Sequence, residues 1–309
     1  MEDQKIIIVN KNITSFTSED DSRVFLTSSS KEAASHLIRS SARIIEFVGG
    51  DGTFSATLND VLAVDPDFLN GKLIKIQPQG SGNDRIKSLS ELRKREEPFN
   101  PESQANNGNS GDAKIITDDY LMATINGEHK RYVFNAAGIG LDSQTLLEYE
   151  KLRHSMLPPT LRYFGAASIA INKLNGYKGL VKYGGTGHPT EMAEPVMFLF
   201  MLGKYFGGGM PINSRLVNND GLFESLILSR GTNLKLFRSL FAISLLKQPQ
   251  YHNPVVRYIP PAPFIQLDVL SSDKFYFESD GEILVHNNKP VEIKRIEVSV
   301  AGKIKYLLD

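Results

Sequence analysis

Two short glycine-rich segments carry acidic residues at positions suited to phosphate chemistry. They are Gly49-Gly50-Asp51-Gly52-Thr53 and Gly80-Ser81-Gly82-Asn83-Asp84, and each follows an apolar run and precedes a helical pattern. Small residues let backbone N–H groups approach an anion, and a helix N-terminus adds favourable dipole charge. Asp51 itself repels a phosphate, so a role there requires a metal ion or a hydroxyl donor between the two. Either segment alone is equally typical of a tight strand-to-helix turn.

Strand and helix patterns alternate around these segments. Buried parallel strands are predicted at 5–9, 44–48 and 72–77. The intervening spacing predicts a helix over 31–41 capped by Ser30, and a second helix carrying Phe54 to Leu62. The carboxyl ends of parallel strands meet at one sheet edge, where open α/β sheets bind ligands, so the two glycine-rich segments should lie together. The first ~95 residues therefore predict a nucleotide site on a parallel α/β sheet.

The second half of the chain has a different texture. Residues 99–112 form an Asn/Gly/Ser-rich stretch that predicts a loop. Strands are predicted at 120–125, 130–134, 179–183, 196–202, 221–229, 264–269, 275–278 and 291–300, and helices at 161–174 and 233–247. This pattern predicts a largely antiparallel β domain. The helix at 233–247 mixes apolar and basic residues, which suits either packing on a sheet or lying at a membrane surface.

Composition excludes several classes of function. The chain has 309 residues with 35 basic and 35 acidic side chains, so it has no overall positive charge for nucleic acid. It contains no cysteine, which excludes disulfides, thiolate nucleophiles and cysteine-ligated metals. The longest apolar stretch, Val196 to Leu202, is far below the ~20 residues of a membrane-spanning helix. The six histidines show no metal-ligand spacing, although His286 is close in sequence to Glu282.

Five motifs in order resemble the diacylglycerol kinase catalytic family, which includes bacterial diacylglycerol kinases, sphingosine kinases and ceramide kinases. The two glycine-rich segments match its GGDGT and GTGND signatures, with Ser81 in place of threonine. Residues 134–142 resemble FxNxxGxGxD, and residues 207–223 resemble the stretch that begins GGG and ends DGxLD. Asp280-Gly281-Glu282 matches a D-G-E near the C-terminus. The similarity extends over nearly the whole chain.

This resemblance implies a fold and a reaction. It implies an N-terminal Rossmann-like parallel α/β domain over residues 1–124 and a C-terminal antiparallel β-sandwich domain over 125–309, with the active site in the cleft between them. It implies transfer of the γ-phosphoryl group of ATP, with Mg2+, to a lipid hydroxyl such as that of diacylglycerol. Phosphoryl transfer depends mainly on positioning and charge neutralisation, and oxygen ligands suit Mg2+.

The same resemblance implies roles for individual residues. Asp280 or Glu282 would accept the proton of the lipid hydroxyl, and Asp51 would take part in catalysis. The residues implied to bind the nucleotide are Asn10, Thr27, Gly49, Gly50, Asp51, Gly52, Thr53, Phe54, Ser55, Ser81, Asn83 and Asp84. Asp84 and Asp119 are similar to acids that support the catalytic magnesium. A separate structural magnesium would be held by a loop matching Val217, Asp220 and Leu222.

Two departures from the family pattern keep other functions open. The usual phosphate loop after the first strand lacks its proline and glycine, since the sequence there is Asn10-Lys11-Asn12-Ile13-Thr14. Ser55-Ala56 replaces the usual Asn-Glu pair. The alternatives are an enzyme similar to NAD kinases, which share GGDGT, and a catalytically degenerate lipid-binding protein. We expect a cytoplasmic protein that associates transiently with a membrane surface to reach its lipid substrate, and a homodimer because twofold dimers are the commonest assemblies.

Overall fold

The computed structural model describes residues 5–13, 23–79, 83–96, 114–152, 155–174, 176–184, 190–213, 219–233, 235–236, 238, 255–271 and 273–308. The helices among them are α1 Ser30–Ile38, α2 Asp51–Leu62, α3 Asp84–Glu96, α4 Leu141–Lys151 and α5 Pro159–Lys173. The strands are β1 Lys5–Asn10, β2 Arg23–Thr27, β3 Ile44–Gly49, β4 Leu73–Pro78, β5 Lys114–Ile125, β6 His129–Val133, β7 Ala136–Gly140, β8 Gly179–Tyr183, β9 Thr190–Ala193, β10 Pro195–Met201, β11 Tyr205–Phe206, β12 Met210–Pro211, β13 Phe223–Ser229, β14 Val256–Ala262, β15 Phe264–Val269, β16 Phe277–Ser279, β17 Glu282–Ile283, β18 Val285–His286, β19 Lys289–Pro290 and β20 Arg295–Leu308. The predicted α/β plus β composition is therefore confirmed as a mixed α/β fold. The predicted loop at 99–112 lies outside the described residues, as does the helix at 233–247 except at residues 233, 235, 236 and 238.

The N-terminal strands form the parallel sheet that the sequence predicted. Their order is β2–β1–β3–β4, and all three pairings are parallel. Side chains from β1, β3 and α2, including Ile8, Phe47 and Phe54, are fully buried in one apolar cluster. The strand β2 was not predicted. The cap of α1 is Ser29 and not the expected Ser30, because the Ser29 hydroxyl accepts the hydrogen bond from the Glu32 backbone N–H.

The C-terminal strand joins this parallel sheet to the antiparallel strands. Strand β20 pairs antiparallel with β15 and along nearly its whole length with β5, and its residue Tyr306 pairs parallel with Ile74 of β4. One sheet of ten strands therefore extends through both halves of the sequence. The division predicted between residues 124 and 125 falls at the end of β5, and it stays a prediction.

A second sheet of six strands is antiparallel throughout, in the order β14–β13–β10–β7–β16–β17. A cluster of buried side chains, including Ile139, Phe198 and Phe277 from this sheet and Val298 from the larger one, fills the space between the two sheets. Helix α5 contributes Ala170 and Ile171 to another apolar cluster, shared with residues of β10 and β13. No helix in the described part of the chain is long and apolar enough to span a membrane.

Candidate active site

The first glycine-rich segment forms the turn from β3 into α2. Gly50 occupies the N-cap position with φ −92° and ψ 174°, and no side chain caps the helix, so the first-turn N–H groups face the edge of the sheet. A side chain on Gly49 would place its Cβ 3.1 Å from the Thr53 side chain, so the turn packs closely on the helix it begins. Asn10, at the end of β1, donates a hydrogen bond from Nδ2 to Thr53 Oγ1 at 3.1 Å. Thr27 ends the neighbouring strand β2 beside Asn10 and is buried.

Asp51 connects the two glycine-rich segments. Its Oδ2 accepts hydrogen bonds from the backbone N–H groups of Asp84, at 2.5 Å, and Arg85, at 3.4 Å, which begin helix α3. Its other oxygen is buried and has no hydrogen-bond partner among the described residues. The sequence predicted that the two segments lie together, and in the structure they are in direct contact through Asp51 and Asp84. Residues 80–82, including Ser81, lie outside the described part of the chain, whereas Asn83 precedes α3 with φ 51°.

The electrostatics of this carboxylate pair favour a cation. Burial, with a further contribution from the nearby Asp84 charge, raises the pKa of Asp51 to about 6. Burial likewise raises the pKa of Asp84 above its usual range, against the opposing hydrogen bond that its Oδ2 accepts from the Gly208 N–H at 2.8 Å. Lys87 Nζ is 3.7 Å from the other Asp84 oxygen. Burial opposes the ionised form of these two carboxyl groups, and a bound divalent ion would favour that form.

Asp280 comes from the far end of the chain and contacts the same helix α2. It lies in the turn between β16 and β17 with φ 50°, a conformation that Asp tolerates better than most side chains. Its Oδ2 accepts from Ser55 Oγ at 2.7 Å and from the Phe134 N–H at 3.0 Å. Its Oδ1 accepts from the N–H groups of Asn135 and Ala136 at 2.9 and 3.1 Å. Four donors fill the acceptor capacity of this carboxylate, so it anchors the beginning of β7.

Glu282 has a different environment from Asp280. Its side chain is 42% exposed and pairs with Arg131, whose Nη2 is 2.7 Å from Oε2. The other oxygen, Oε1, faces the first turn of α2, since a Cβ added to Gly52 would lie 3.7 Å from it. Arg131 also donates from Nε to Ser279 Oγ at 3.0 Å, which fixes its orientation. Glu282 is therefore an accessible carboxylate beside the glycine-rich turn.

The remaining acids of the predicted metal sites lie elsewhere. Asp119 is buried in β5, where its Oδ2 accepts from the Gly221 N–H at 2.8 Å and its Oδ1 is 3.2 Å from Lys303 Nζ. The side chain of Asp220 accepts from the Leu222 N–H at 3.1 Å. Val217 lies outside the described residues. Within the described ranges, no group of three or more acidic or histidine side chains is arranged around a common metal position.

Sequence reasoning missed a buried cation beneath the site. Arg85, the second residue of α3, is 1% exposed and forms an ion pair with the fully buried Asp118 of β5. Its guanidinium also lies over the Tyr306 ring, 5.3 Å from the centroid. The predicted strand began at residue 120, so it left out Asp118, which lies in β5 as a buried charge that requires a partner.

An apolar cavity lies behind the six-stranded sheet. Its walls come from α4, α5 and the outer face of β10, β13 and β14, and they are mostly apolar with a few polar groups. The lining residues are Leu141, Asp142, Thr145, Tyr163, Ala167, Met197, Leu199, Phe206, Met210, Ile212, Leu226, Leu228, Val256 and Tyr258. Asp142 is buried beside Glu278 of β16, and burial raises the pKa of Asp142 to about 7 and that of Glu278 well above its usual range. A side chain at Gly138 would collide with the Asp142 carboxylate and with Leu199, so either those side chains or the added one would have to shift.

The chain shares its fold with solved kinase structures. No protein-family model matches it, and no curated protein matches it. A diacylglycerol kinase from Bacillus anthracis str. Sterne has a TM-score of 0.61 at 13% identity, covering 99% of this chain and 97% of that one. Two further structures from that strain, each described as a candidate diacylglycerol kinase, have TM-scores of 0.62 and 0.60 at 16% identity, covering 99% of this chain and 96% and 97% of theirs. The resemblance inferred from the five motifs is thus confirmed at the level of the fold.

Proposed function

We propose that this protein is a lipid kinase that transfers the γ-phosphoryl group of ATP to a lipid hydroxyl with the help of Mg2+. One observation carries the proposal: three motifs distant in sequence converge on the first turns of α2. Asp51 in that helix caps α3, while Ser55 and Gly52 face Asp280 and Glu282 respectively. A turn with open N–H groups, buried carboxylates and an accessible carboxylate are the components that phosphoryl transfer to an alcohol requires.

The nucleotide phosphates would bind at the N-terminus of α2. The helix begins without a side-chain cap, so its first N–H groups and its dipole favour an anion there. Asn10 and Thr27 would border the nucleotide, since they end the two strands beside Thr53. We propose that this nucleotide lobe, residues 1–124, and a lipid lobe, residues 125–309, enclose the active-site cleft, with the C-terminal strand returning to the nucleotide lobe.

Asp51 and Asp84 fit a magnesium ion. The Asp51 oxygen that has no partner among the described residues is buried, and both carboxyl groups have raised pKa values. Mg2+ usually keeps several waters and needs only one or two protein carboxylates, so this pair is a sufficient donor set. When bound, the ion would neutralise charge on the phosphates. The bonds of Asp119 go to Gly221 and Lys303, which favours a structural role for it.

Glu282 is the better candidate for the proton acceptor. Both Asp280 oxygens already accept two hydrogen bonds each, whereas Glu282 Oε1 faces the glycine-rich turn. As the lipid oxygen bonds to the γ-phosphorus, its proton would pass to Glu282. The bond from the γ-phosphorus to the β–γ bridging oxygen then breaks, and ADP leaves. Arg131 would hold the Glu282 side chain in place.

The apolar cavity would bind the hydrocarbon part of the acceptor. Its lining is almost entirely aliphatic and aromatic, which suits an acyl chain and excludes a second nucleotide. Enlarging a wall residue tests this role: Ala167→Leu on α5 should raise the KM for a long-chain diacylglycerol severalfold. The KM for ATP and the rate with a short-chain acceptor should stay unchanged, and an equal loss with both acceptors would contradict the assignment.

The connection between α4 and α5 would contact the membrane. Both helices contribute to the cavity wall. The segment joining them exposes Met156 fully and Leu157 by about half, and the first turn of α5 exposes Leu161 by about half. Arg162 donates to the Leu157 backbone oxygen at 3.0 Å, so the segment is held in this shape. Exposed apolar side chains beside a lipid cavity suit insertion into the bilayer interface.

Serine at positions 156, 157 and 161 should abolish sedimentation with lipid vesicles. The control variant, Val64→Ser, removes an equally exposed apolar side chain from the nucleotide lobe and should bind vesicles like the wild type. If both variants sediment as the wild type does, the α4–α5 segment is not the membrane contact.

A transfer assay tests the proposed activity. Purified protein is incubated with radiolabelled ATP, Mg2+ and either diacylglycerol micelles or NAD, and label is measured in the organic and aqueous products. We expect label in the lipid, lost in Asp51→Asn and Glu282→Gln but retained in Glu128→Gln, a change at an exposed acid. Label in NAD phosphate alone would transfer the assignment to an NAD kinase. Lipid binding without transfer would make the protein a degenerate binder.

A further inference from the structure

The loop that begins β13 was expected to hold a structural metal ion, but the described part of that loop does not fit one. Its carboxylate, Asp220, turns back to accept the Leu222 N–H at 3.1 Å. Beside it, the ammonium group of Lys303 donates to the Asn219 backbone oxygen at 2.5 Å. A protein cation therefore already binds the backbone of this loop.

Lys303 also neutralises the buried acid below the loop. It lies opposite Asp119 in the register of β20 and β5, and its Nζ is 3.2 Å from Asp119 Oδ1. Asp119 is 1% exposed, and its other oxygen accepts the Gly221 N–H at 2.8 Å. Lys303 and Asp119 thus each hold one residue of the loop and are paired with each other. A divalent ion near the same oxygens would be repelled by the ammonium.

We propose that Lys303 is the built-in cation that closes the 219–222 loop on the sheet, so that the loop folds without a divalent metal. The consequence concerns the position of β13, because this strand follows the loop directly and carries Leu226 and Leu228 into the cavity wall. Lys303 is in this sense a positioning residue. The proposal does not depend on the protein being a kinase, since it is a statement about how the loop is stabilised.

Thermal unfolding of the full chain, in EDTA and in millimolar Mg2+ without nucleotide, tests the proposal. Lys303→Met should lower Tm by about 3–6 °C in EDTA. Lys305→Met, two residues along the same strand and also exposed, is the matched control and should have the Tm of the wild type. Lys303→Arg keeps the charge and should lose less than half of the methionine effect.

The effect of Mg2+ on Tm tests the claim that the loop folds without a divalent metal. The Asp51→Asn variant, which has Lys303 intact but lacks a carboxylate of the metal site expected with the nucleotide, should have the same Tm in EDTA and in Mg2+. A chelator-sensitive Tm in that variant would overturn the proposal, as would equal Tm values for Lys303→Met and Lys305→Met. If Lys303→Met does not fold, Lys303→Arg takes its place: a folded, chelator-insensitive variant supports the built-in cation, and one that requires Mg2+ refutes it.

Discussion

Replacing Asp280 and Glu282 separately distinguishes an anchor from a proton acceptor. Asp280→Asn keeps the shape of the side chain and tolerates the positive φ of 50°. It turns an NH2 group towards two of the four donors that the carboxylate accepts, from Ser55 and from the N–H groups of residues 134–136. Bonds to a charged acceptor contribute about 1.5–3 kcal/mol each, so losing two should destabilise the fold by about 3–6 kcal/mol.

Glu282→Gln should change the stability little and the catalytic rate greatly. The side chain is 42% exposed and has one ion pair, with Arg131, which contributes at most about 1 kcal/mol at such a site. Loss of the proton acceptor should instead lower kcat by about 100- to 10,000-fold. Glu128→Gln, at an acid whose side chain is 79% exposed, should change neither quantity.

The assay measures the free energy of unfolding in urea and the rate of label transfer to lipid for each variant. The expected pattern is a destabilised Asp280→Asn and a stable but inactive Glu282→Gln. A wild-type stability for Asp280→Asn would refute the anchoring role. Full activity of Glu282→Gln would refute its role as acceptor, whatever the stability of the other variant.

Three further predictions concern buried charge. Because the pKa of Asp51 is raised to about 6 from its ordinary 3.8, its ionised form opposes folding, so Asp51→Asn should raise stability by about 1–3 kcal/mol at pH 8 in urea unfolding, a gain that disappears as the pH falls from 6 towards 3.8. The pKa of Asp142 is raised from 3.8 to about 7 beside Glu278, so the wild type should lose stability as the pH rises from about 4 to 7, and Asp142→Asn should flatten the profile in that window. Arg85→Met should destabilise the fold by about 3–5 kcal/mol, because it leaves Asp118 buried without its cation, and adding Asp118→Leu should restore most of the loss in the same assay.

Short runs rich in β-branched and aromatic residues allowed much of the fold to be predicted from the sequence. The runs at 44–48 and 72–77 gave β3 and β4 to within one residue, and the strands at 179–183 and 264–269 have the predicted bounds. In each case β-branched or aromatic residues are bounded by polar residues, glycine or proline, so that local preference and burial agree.

Two of the missed elements are strands in which local preference or burial pattern disagrees with the tertiary structure. Strand β7, Ala136–Gly140, consists of alanine, glycine and one isoleucine, which are poor strand formers apart from the isoleucine, yet it is wholly buried between β10 and β16. Strand β2 lies at the edge of the sheet and exposes Val24 and Leu26, so it lacks the buried pattern that identified its neighbours.

The candidate site could be predicted as a set of motifs, but the separate roles of its acids could not. Asp280-Gly281-Glu282 predicts a turn with two carboxylates, and the sequence does not distinguish which of them accepts the proton. Only the contacts with residues 134–136, more than 140 positions away, identify Asp280 as an anchor. The ion pair of Arg85 could not be predicted either, because its partner Asp118 is more than 30 positions away in the sequence. Residues 97–113, which lie between them, are outside the described structure.

The buried acids around α2 explain why this site should bind a cation rather than merely tolerate one. Burial raises the pKa values of Asp51 and Asp84, and the charges of Asp84 and Asp280 raise that of Asp51 further. Arg85 supplies a buried positive charge, which Asp118 already neutralises. An ion that binds Asp51 and Asp84 relieves a penalty that folding has left in place, so part of its binding free energy comes from the protein's own repulsion. At the 219–222 loop, the buried acid Asp119 is instead paired with Lys303. Of these two described sites, the Asp51–Asp84 pair keeps raised pKa values although Lys87 Nζ is 3.7 Å from one Asp84 oxygen, whereas Asp119 has Lys303 Nζ at 3.2 Å.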